Sequence, residues 1–221
     1  MAKVIITGST GMVGKGVLLE CLESSFIEKV LVINRSTLNM HHPKLQEILL
    51  PDFTKAETIK NQLNGYDACF HCMGVSSVGM NEADFTKLTY DTTKAIAEVL
   101  FAINPAMVFN YVSGTGTDST EKGGTMWARV KGKTENLILN KGFKDAYAFR
   151  PGMIIPEKGI KSKTSLYNTI YVIMRPFFGL MKKSKNITTT TKVGLAMIYS
   201  LRFPQANKFL ENKNINLLAE K

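Results

Sequence analysis

Two spacings of apolar residues alternate along the chain. Short unbroken runs, beginning with Val4, Ile5 and Ile6, have the length and β-branched content of buried strands. Stretches with apolar residues three or four apart come after them, the first carrying Val17, Leu18, Leu19 and Leu22. Residues 29–35, 45–53, 66–74, 107–112 and 145–149 predict strands two to six. Residues 56–63, 84–101 and 126–140 predict the helices between them. Strands that are apolar on both faces and separated by helices form a parallel sheet covered on both sides. The expected fold is therefore α/β, a doubly wound parallel sheet over residues 1–155. Residues 156–221 are expected to pack on the same domain as a small helical region.

The first strand runs into Gly8-Ser9-Thr10-Gly11-Met12-Val13-Gly14, with glycines at G-x-x-G-x-x-G spacing and a helix directly after them. A glycine turn lets the backbone approach a pyrophosphate closely, and free N–H groups with the helix dipole stabilise its charge. Strand, turn and helix together predict a dinucleotide-binding Rossmann domain. In such a domain the end of strand two meets the adenosine ribose, where NAD-selective proteins place Asp or Glu. This chain has Asn34 and Arg35 there, and a cation pairs with a 2′-phosphate, so NADP is favoured over NAD. Lys15 is a further candidate phosphate contact. Asp52 and Phe53, expected at the end of strand three, are placed to meet the adenine, with a core aromatic as the other reading of Phe53, and Gly74 lies where strand four must pass the cofactor. The hydroxyls of the loop 113–118 are expected at the carboxyl end of strand five, facing the cofactor.

Composition adds a globular chain of 221 residues, 44% hydrophobic. The net charge of +10 is uneven: residues 1–110 carry 9 Lys and Arg against 11 Asp and Glu, and residues 111–221 carry 19 against 7. The lysines of the second half are scattered among apolar residues, which predicts a solvated basic face and does not favour nucleic acid. Cys69 and Cys72 have C-x-x-C spacing but sit in a predicted buried strand with no second ligand pair, so no metal site is expected. His71, in the same strand, is expected as a hydrogen-bonded core histidine. Three cysteines without a disulfide pattern, and a first strand starting too near Met1 to leave room for a targeting segment, predict a cytoplasmic protein.

Thr7 to Gly14, a strand-two Arg, the Ser113 loop, Lys131 on the next helix and Phe149-Arg150-Pro151-Gly152 occur in that order. In this the chain resembles the atypical short-chain dehydrogenase/reductases, epimerase-like proteins with an NAD(P)-binding Rossmann fold. Cys72-Met73-Gly74 and Val130-Lys131-Gly132 are most similar to the Tat-interacting-protein group. The resemblance spans about residues 3–155. It implies that Ser113 or Thr115 orients a substrate oxygen, that Lys131 holds the nicotinamide ribose, and that Pro151 and Gly152 border the cofactor. It also implies a Tyr four residues before that Lys, one helical turn away, to exchange a proton as hydride moves. Trp127 occupies that position, and an indole N–H does not shuttle protons at neutral pH. Tyr90 and Lys94 fit Y-x-x-x-K but precede the Ser113 strand, so Tyr90 is read as a packing residue; Tyr111 is a further tyrosine near the loop.

Beyond Gly152, residues 165–181 are apolar and aromatic, broken by Arg175-Pro176 and flanked by lysines at 158, 161, 163, 182, 183 and 185. The stretch is too short and interrupted to span a bilayer. It is expected as a lid, with membrane-surface or protein contact through residues 158–185 as the rival. Residues 188–198 predict an N-capped helix, and the tail from Asn207 a short strand or frayed end. The leading functional expectation is a reductase or epimerase-like enzyme acting on a small organic substrate. The alternative, favoured by Trp127, is a non-catalytic NADP(H) sensor or interaction protein.

Overall fold

The computed structural model describes residues 1–160, 178–181 and 184–221. The apolar stretch expected as a lid, apart from a helical turn at Phe178–Met181, therefore lies outside the described residues, as do Lys161, Lys163, Lys182 and Lys183.

Strands β1 (Ala2–Thr7), β2 (Ile27–Asn34), β3 (Leu45–Leu49), β4 (Ala68–His71), β5 (Val108–Val112) and β6 (Asp145–Arg150) alternate with helices α1 (Met12–Glu23), α2 (Glu82–Thr86), α3 (Thr92–Ile103) and α4 (Met126–Leu139). Two short strands, β7 (Met153–Ile155) and β8 (Ile187–Thr189), pair with each other in parallel. Helix α5 (Thr190–Ser200), strand β9 (Phe209–Glu211) and helix α6 (Asn212–Leu218) complete the chain. The main sheet has seven strands in the order β3-β2-β1-β4-β5-β6-β9, all parallel. The order reverses direction between β1 and β4, and that reversal opens a crevice at the carboxyl ends of the strands.

The unbroken apolar runs are explained by the period of two. Val4, Ile6, Val30 and Val32 point into one core, with Val17 and Leu18 of α1, Val193 and Met197 of α5, and Ile215 of α6. Ile5, Leu31 and Ile33 point into the other, where they meet Phe53, Ile96 and Leu100 from α3, Tyr111 from β5 and Ile138 from α4. Both faces of β1 and β2 are buried, so no polar alternation remains to be seen in the sequence. The end of the chain belongs to this architecture: β9 supplies the seventh strand, and α5 and α6 close one face.

Several elements differ from expectation for local reasons. Strand three stops at Leu49, because Pro51 has no N–H for the ladder. Asp52 caps the helix after it, accepting from the Thr54 amide at 3.0 Å. That helix is 3-10 (Phe53–Gln62) rather than α, and its buried residues Phe53, Ala56 and Ile59 recur every third position, the period of such a helix. The long helix expected over 84–101 is one rod interrupted by a π turn at Lys87–Asp91. There Thr92 and Thr93 bond back to the carbonyls of Leu88 and Thr89, at 2.8 and 2.6 Å. In the C-terminal part, Thr189 ends β8 and caps α5 by accepting from the Lys192 amide at 3.1 Å.

Candidate functional site

The glycine turn joins β1 to α1 with backbones in contact. Gly8 has φ +72°, and a Cβ there would lie 2.7 Å from the backbone of Cys72 and Met73 in the neighbouring strand's extension. Gly14, inside the first turn of α1, faces Gly8 so closely that a Cβ would lie 2.2 Å from its carbonyl oxygen. Gly11 is the residue that caps α1, and no side chain caps the helix in its place. The turn therefore presents backbone N–H groups and the positive end of a 12-residue helix with no side chain over them. Those are the properties a pyrophosphate requires, so the residues present fit a dinucleotide.

A cleft of about 420 Å³ opens over this turn, lined among others by Gly8, Thr10, Gly11, Met12, Arg35, Phe53, Met73 and Gly74. A smaller hollow of about 110 Å³ continues from it between Arg35, Pro51, Asp52, Phe53, Leu88 and Thr92. Of the remaining candidates in this part, Ser9 is buried and donates to Asn34 Oδ1 at 2.9 Å, Val13 packs on the core, and Lys15 is exposed outside both lined surfaces. Asn34 in turn donates from Nδ2 to Glu47 Oε1 at 3.0 Å, and Glu47 Oε2 accepts from Thr37 Oγ1 at 2.8 Å. This relay fixes the end of β2 and the turn after it. Arg35 is exposed and makes no ion pair with the described residues. The Asp52 carboxyl is held below the usual carboxylate range by the Thr54 hydroxyl and amide.

The second group of candidates lies at the carboxyl ends of β5 and β6. The Ser113 amide donates to the Phe149 carbonyl at 2.8 Å and the Thr115 amide to the Pro151 carbonyl at 3.1 Å, which stitches the loop 113–117 to residues 149–152. Lys131 Nζ donates to the Ser113 carbonyl at 2.6 Å. Burial draws the Lys131 pKa below its ordinary value, opposed by the nearby Glu135 carboxylate. The Ser113 hydroxyl donates to Glu135, a fully buried carboxylate. Arg150 meets the same carboxylate through Nε at 2.9 Å and Nη2 at 2.5 Å, and Ser119 donates to it at 3.2 Å. Thr115 is exposed; its Oγ1 lies 3.0 Å from the Arg150 carbonyl and 3.0 Å from Glu211 Oε2. Gly152 donates its amide to Asn212 Oδ1 at 3.1 Å. Trp127 lies one turn before Lys131 with its ring against Gly116, where a Cβ would be 3.4 Å from it.

Sequence reasoning overlooked Glu135, Glu211 and the role of Arg150. The available signal for Glu135 was its place four residues after Lys131, on the same face of α4. Tyr111 does not supply the missing phenol: it is 1% exposed in the core, with its pKa pushed up by that burial. Tyr90 packs under Lys133, whose Nζ lies 4.6 Å from the ring centre. His71 is fully buried, with Nδ1 2.9 Å from Thr7 Oγ1 and Nε2 3.1 Å from Thr93 Oγ1. The Thr93 proton goes to the Thr89 carbonyl, so Nε2 carries the ring's proton and Nδ1 accepts from Thr7. Burial lowers the His71 pKa to about 3. Burial likewise pushes up the thiols of Cys21, Cys69 and Cys72. No group of His, Cys, Asp or Glu among the described residues could hold a metal ion.

Known proteins resemble this chain at two levels. By fold, uronate dehydrogenase from Agrobacterium tumefaciens superposes with a TM-score of 0.70 over 96% of this chain and 76% of its own, at 15% identity. WbmH of Bordetella bronchiseptica, in complex with NAD+, superposes with a TM-score of 0.69 over 96% of this chain and 75% of its own, at 13% identity. By sequence, "Protein FMP52-2, mitochondrial" of Scheffersomyces stipitis is 28% identical over 160 residues, covering 71% of this chain and 68% of that protein. The relatives named FMP52 are called mitochondrial, and this overturns the cytoplasmic expectation. That expectation rested on the nearness of the first strand to Met1 and on cysteine usage, neither of which distinguishes the compartments of relatives like these. None of the helices among the described residues is long and apolar enough to cross a membrane. These matches carry the short-chain, epimerase-like resemblance and not its finer likeness to the Tat-interacting-protein group. The model of the NAD dependent epimerase/dehydratase family matches residues 4–134, from β1 through the glycine turn to the middle of α4, and the chain belongs to that family.

Proposed function

We propose that the protein binds NADP(H) and acts as a reductase or epimerase-like enzyme on a small organic substrate. The observation that carries the cofactor choice is Arg35, exposed in the wall shared by the cleft and its side hollow and without an ion pair among the described residues. Asn34 stands where a ribose-binding carboxylate is usual. The one nearby acid, Glu47, already accepts from Asn34, Thr37 and the Leu38 amide, which leaves it poorly placed to take a ribose 2′-hydroxyl. A guanidinium left to pair with a 2′-phosphate is the consistent reading.

NADP(H) supplies a hydride at the nicotinamide C4. The chain's own residues then have distinct tasks. The glycine turn and the α1 amides would bind the pyrophosphate, Phe53 would meet the adenine, and Gly74, Pro151 and Gly152 would border the cofactor. Lys131, anchored on the Ser113 carbonyl, would hold the ribose. Thr115 is the better placed to meet a substrate oxygen, because it is exposed and shares its proton with the Arg150 carbonyl and Glu211 at the surface, whereas the Ser113 hydroxyl is buried on Glu135. With Trp127 at the usual tyrosine position, the proton would come from water or from a group outside this set.

Trp127 also favours a second reading, an NADP(H) sensor without turnover. One experiment separates the two. Calorimetric titration with NADPH and NADH, with Trp127 fluorescence followed alongside, is expected to give tighter NADPH binding and quenching. A panel of carbonyl substrates with NADPH then distinguishes enzyme from sensor. Binding of neither nucleotide would remove both readings.

A further inference from the structure

A second concave site lies apart from the glycine turn and shares none of its residues. Ser184, Lys185, Lys192, Lys213, Asn216, Leu217 and Glu220 line a hollow of about 420 Å³ formed by the start of β8, α5 and α6. Three ammonium groups face it against one carboxylate. Glu220 Oε1 lies 3.2 Å from Lys192 Nζ, and Lys185 and Lys213 make no ion pair with the described residues. Lys192 sits in the first turn of an 11-residue helix with no acidic residue in that turn, where a cation is opposed by the helix dipole. The hollow therefore concentrates positive potential instead of dispersing it, and an anion relieves that cost. Leu217, in the rim among the lysines, is 57% exposed. A pocket for a soluble phosphate has no use for an exposed leucine at its edge. An interface with polar anions outside and hydrocarbon beneath has a use for both.

We propose that this face is a peripheral contact with anionic lipid, in which Lys185, Lys192 and Lys213 meet headgroup phosphates and Leu217 enters the headgroup–acyl boundary. The long-range field of the C-terminal half, 19 basic against 7 acidic residues, draws the same face toward a negative surface. The site does not depend on the cofactor reading, and it holds whether or not the dinucleotide cleft turns over a substrate.

The test is co-sedimentation of the full chain with phosphatidylcholine vesicles and with vesicles that also contain phosphatidylglycerol, at low and at high salt. Binding is expected only with phosphatidylglycerol and is expected to fall as salt rises. The double variant K185Q/K213Q should lose about fivefold in partition per lysine removed. L217S should weaken the binding that survives at high salt, where charge is screened. Unchanged melting temperature and NADPH binding in these surface variants keep the comparison clean. Absence of binding to phosphatidylglycerol vesicles at low salt overturns the proposal, as does equal binding by K185Q/K213Q. Calorimetric binding of inorganic phosphate at the same lysines with no effect of L217S on vesicles overturns it too, in favour of a small-anion pocket.

Discussion

Ser113 gives its hydroxyl to the buried carboxylate of Glu135 and its carbonyl to Lys131. The serine that opens the candidate catalytic loop is thus part of a buried network with Arg150 and Ser119. Removing Glu135 leaves the Arg150 guanidinium, only 15% exposed, without its main partner. Breaking one side of a buried pair typically costs about 3–5 kcal/mol. Glu135→Ala is expected to lower the melting temperature by about 10 °C, and Glu135→Gln, which keeps an acceptor for Ser113, by less. A melt of E135A within a degree or two of wild type would show that the network does not hold the loop.

Arg35 is predicted to set cofactor choice. Arg35→Ser should weaken NADPH binding about ten- to a hundredfold, the value of about 1.4–2.8 kcal/mol for a charge-assisted phosphate contact. NADH binding should stay where it was, because that nucleotide has no 2′-phosphate. Equal losses for both nucleotides in calorimetry would assign Arg35 to the fold rather than to the phosphate.

Gly14 tests the turn itself. A methyl at this position would sit 2.2 Å from the Gly8 carbonyl oxygen, backbone that cannot swing aside. Gly14→Ala must push α1 off β1, with a stability loss of about 1–3 kcal/mol and loss of nucleotide binding beyond what the stability change explains. A variant that binds NADPH like wild type would mean that the helix amides are not the pyrophosphate site.

The sheet was legible in the sequence because β1, β2, β4 and β5 are buried on both faces and so read as unbroken apolar runs. The glycine turn was legible because its spacing reflects backbone contact between Gly8, Gly14 and the segment after β4. Other features left no local trace. Strand β9, Phe209–Glu211, is expected from the sequence only as a short strand or a frayed end, and nothing local shows that it joins the sheet through β6. The π turn at Lys87–Asp91 depends on threonine hydroxyls bonding back along the helix, which composition does not reveal. The direction of the Ser113 hydroxyl is set by Glu135 and Arg150, 22 and 37 residues away along the chain. Such a pairing is visible only once α4 and β6 are side by side.

His71 makes stability depend on pH in a definite direction. Its pKa is about 3 in the folded protein against 6.5 ordinarily, so between those values the unfolded chain binds a proton that the native state refuses. Stability from this group is complete above pH 6.5 and is lost as pH falls toward 3, with a limiting slope of about 1.4 kcal/mol per pH unit. Urea unfolding at a series of pH values should show wild type losing stability more steeply over this range than His71→Gln. That variant is less stable at pH 7 but has no proton to take up. Parallel curves would mean that His71 is protonated in the native state.

Trp127 decides between the enzyme and the sensor. It stands one helical turn before Lys131, so a phenol placed there would share the lysine's face of α4. Trp127→Tyr supplies a group that can exchange a proton and whose pKa a neighbouring ammonium lowers. General acid catalysis of this kind contributes about 10²–10⁴-fold. The rate of NADPH-dependent carbonyl reduction should therefore rise by at least about tenfold even with an imperfectly placed ring. Trp127→Phe is the control, since it makes the same room but has no proton to give. Equal gains in both variants would show that the indole merely obstructs the cleft. A fall in both would mean that the protein already uses Trp127 to position its substrate, and that its proton travels by another path.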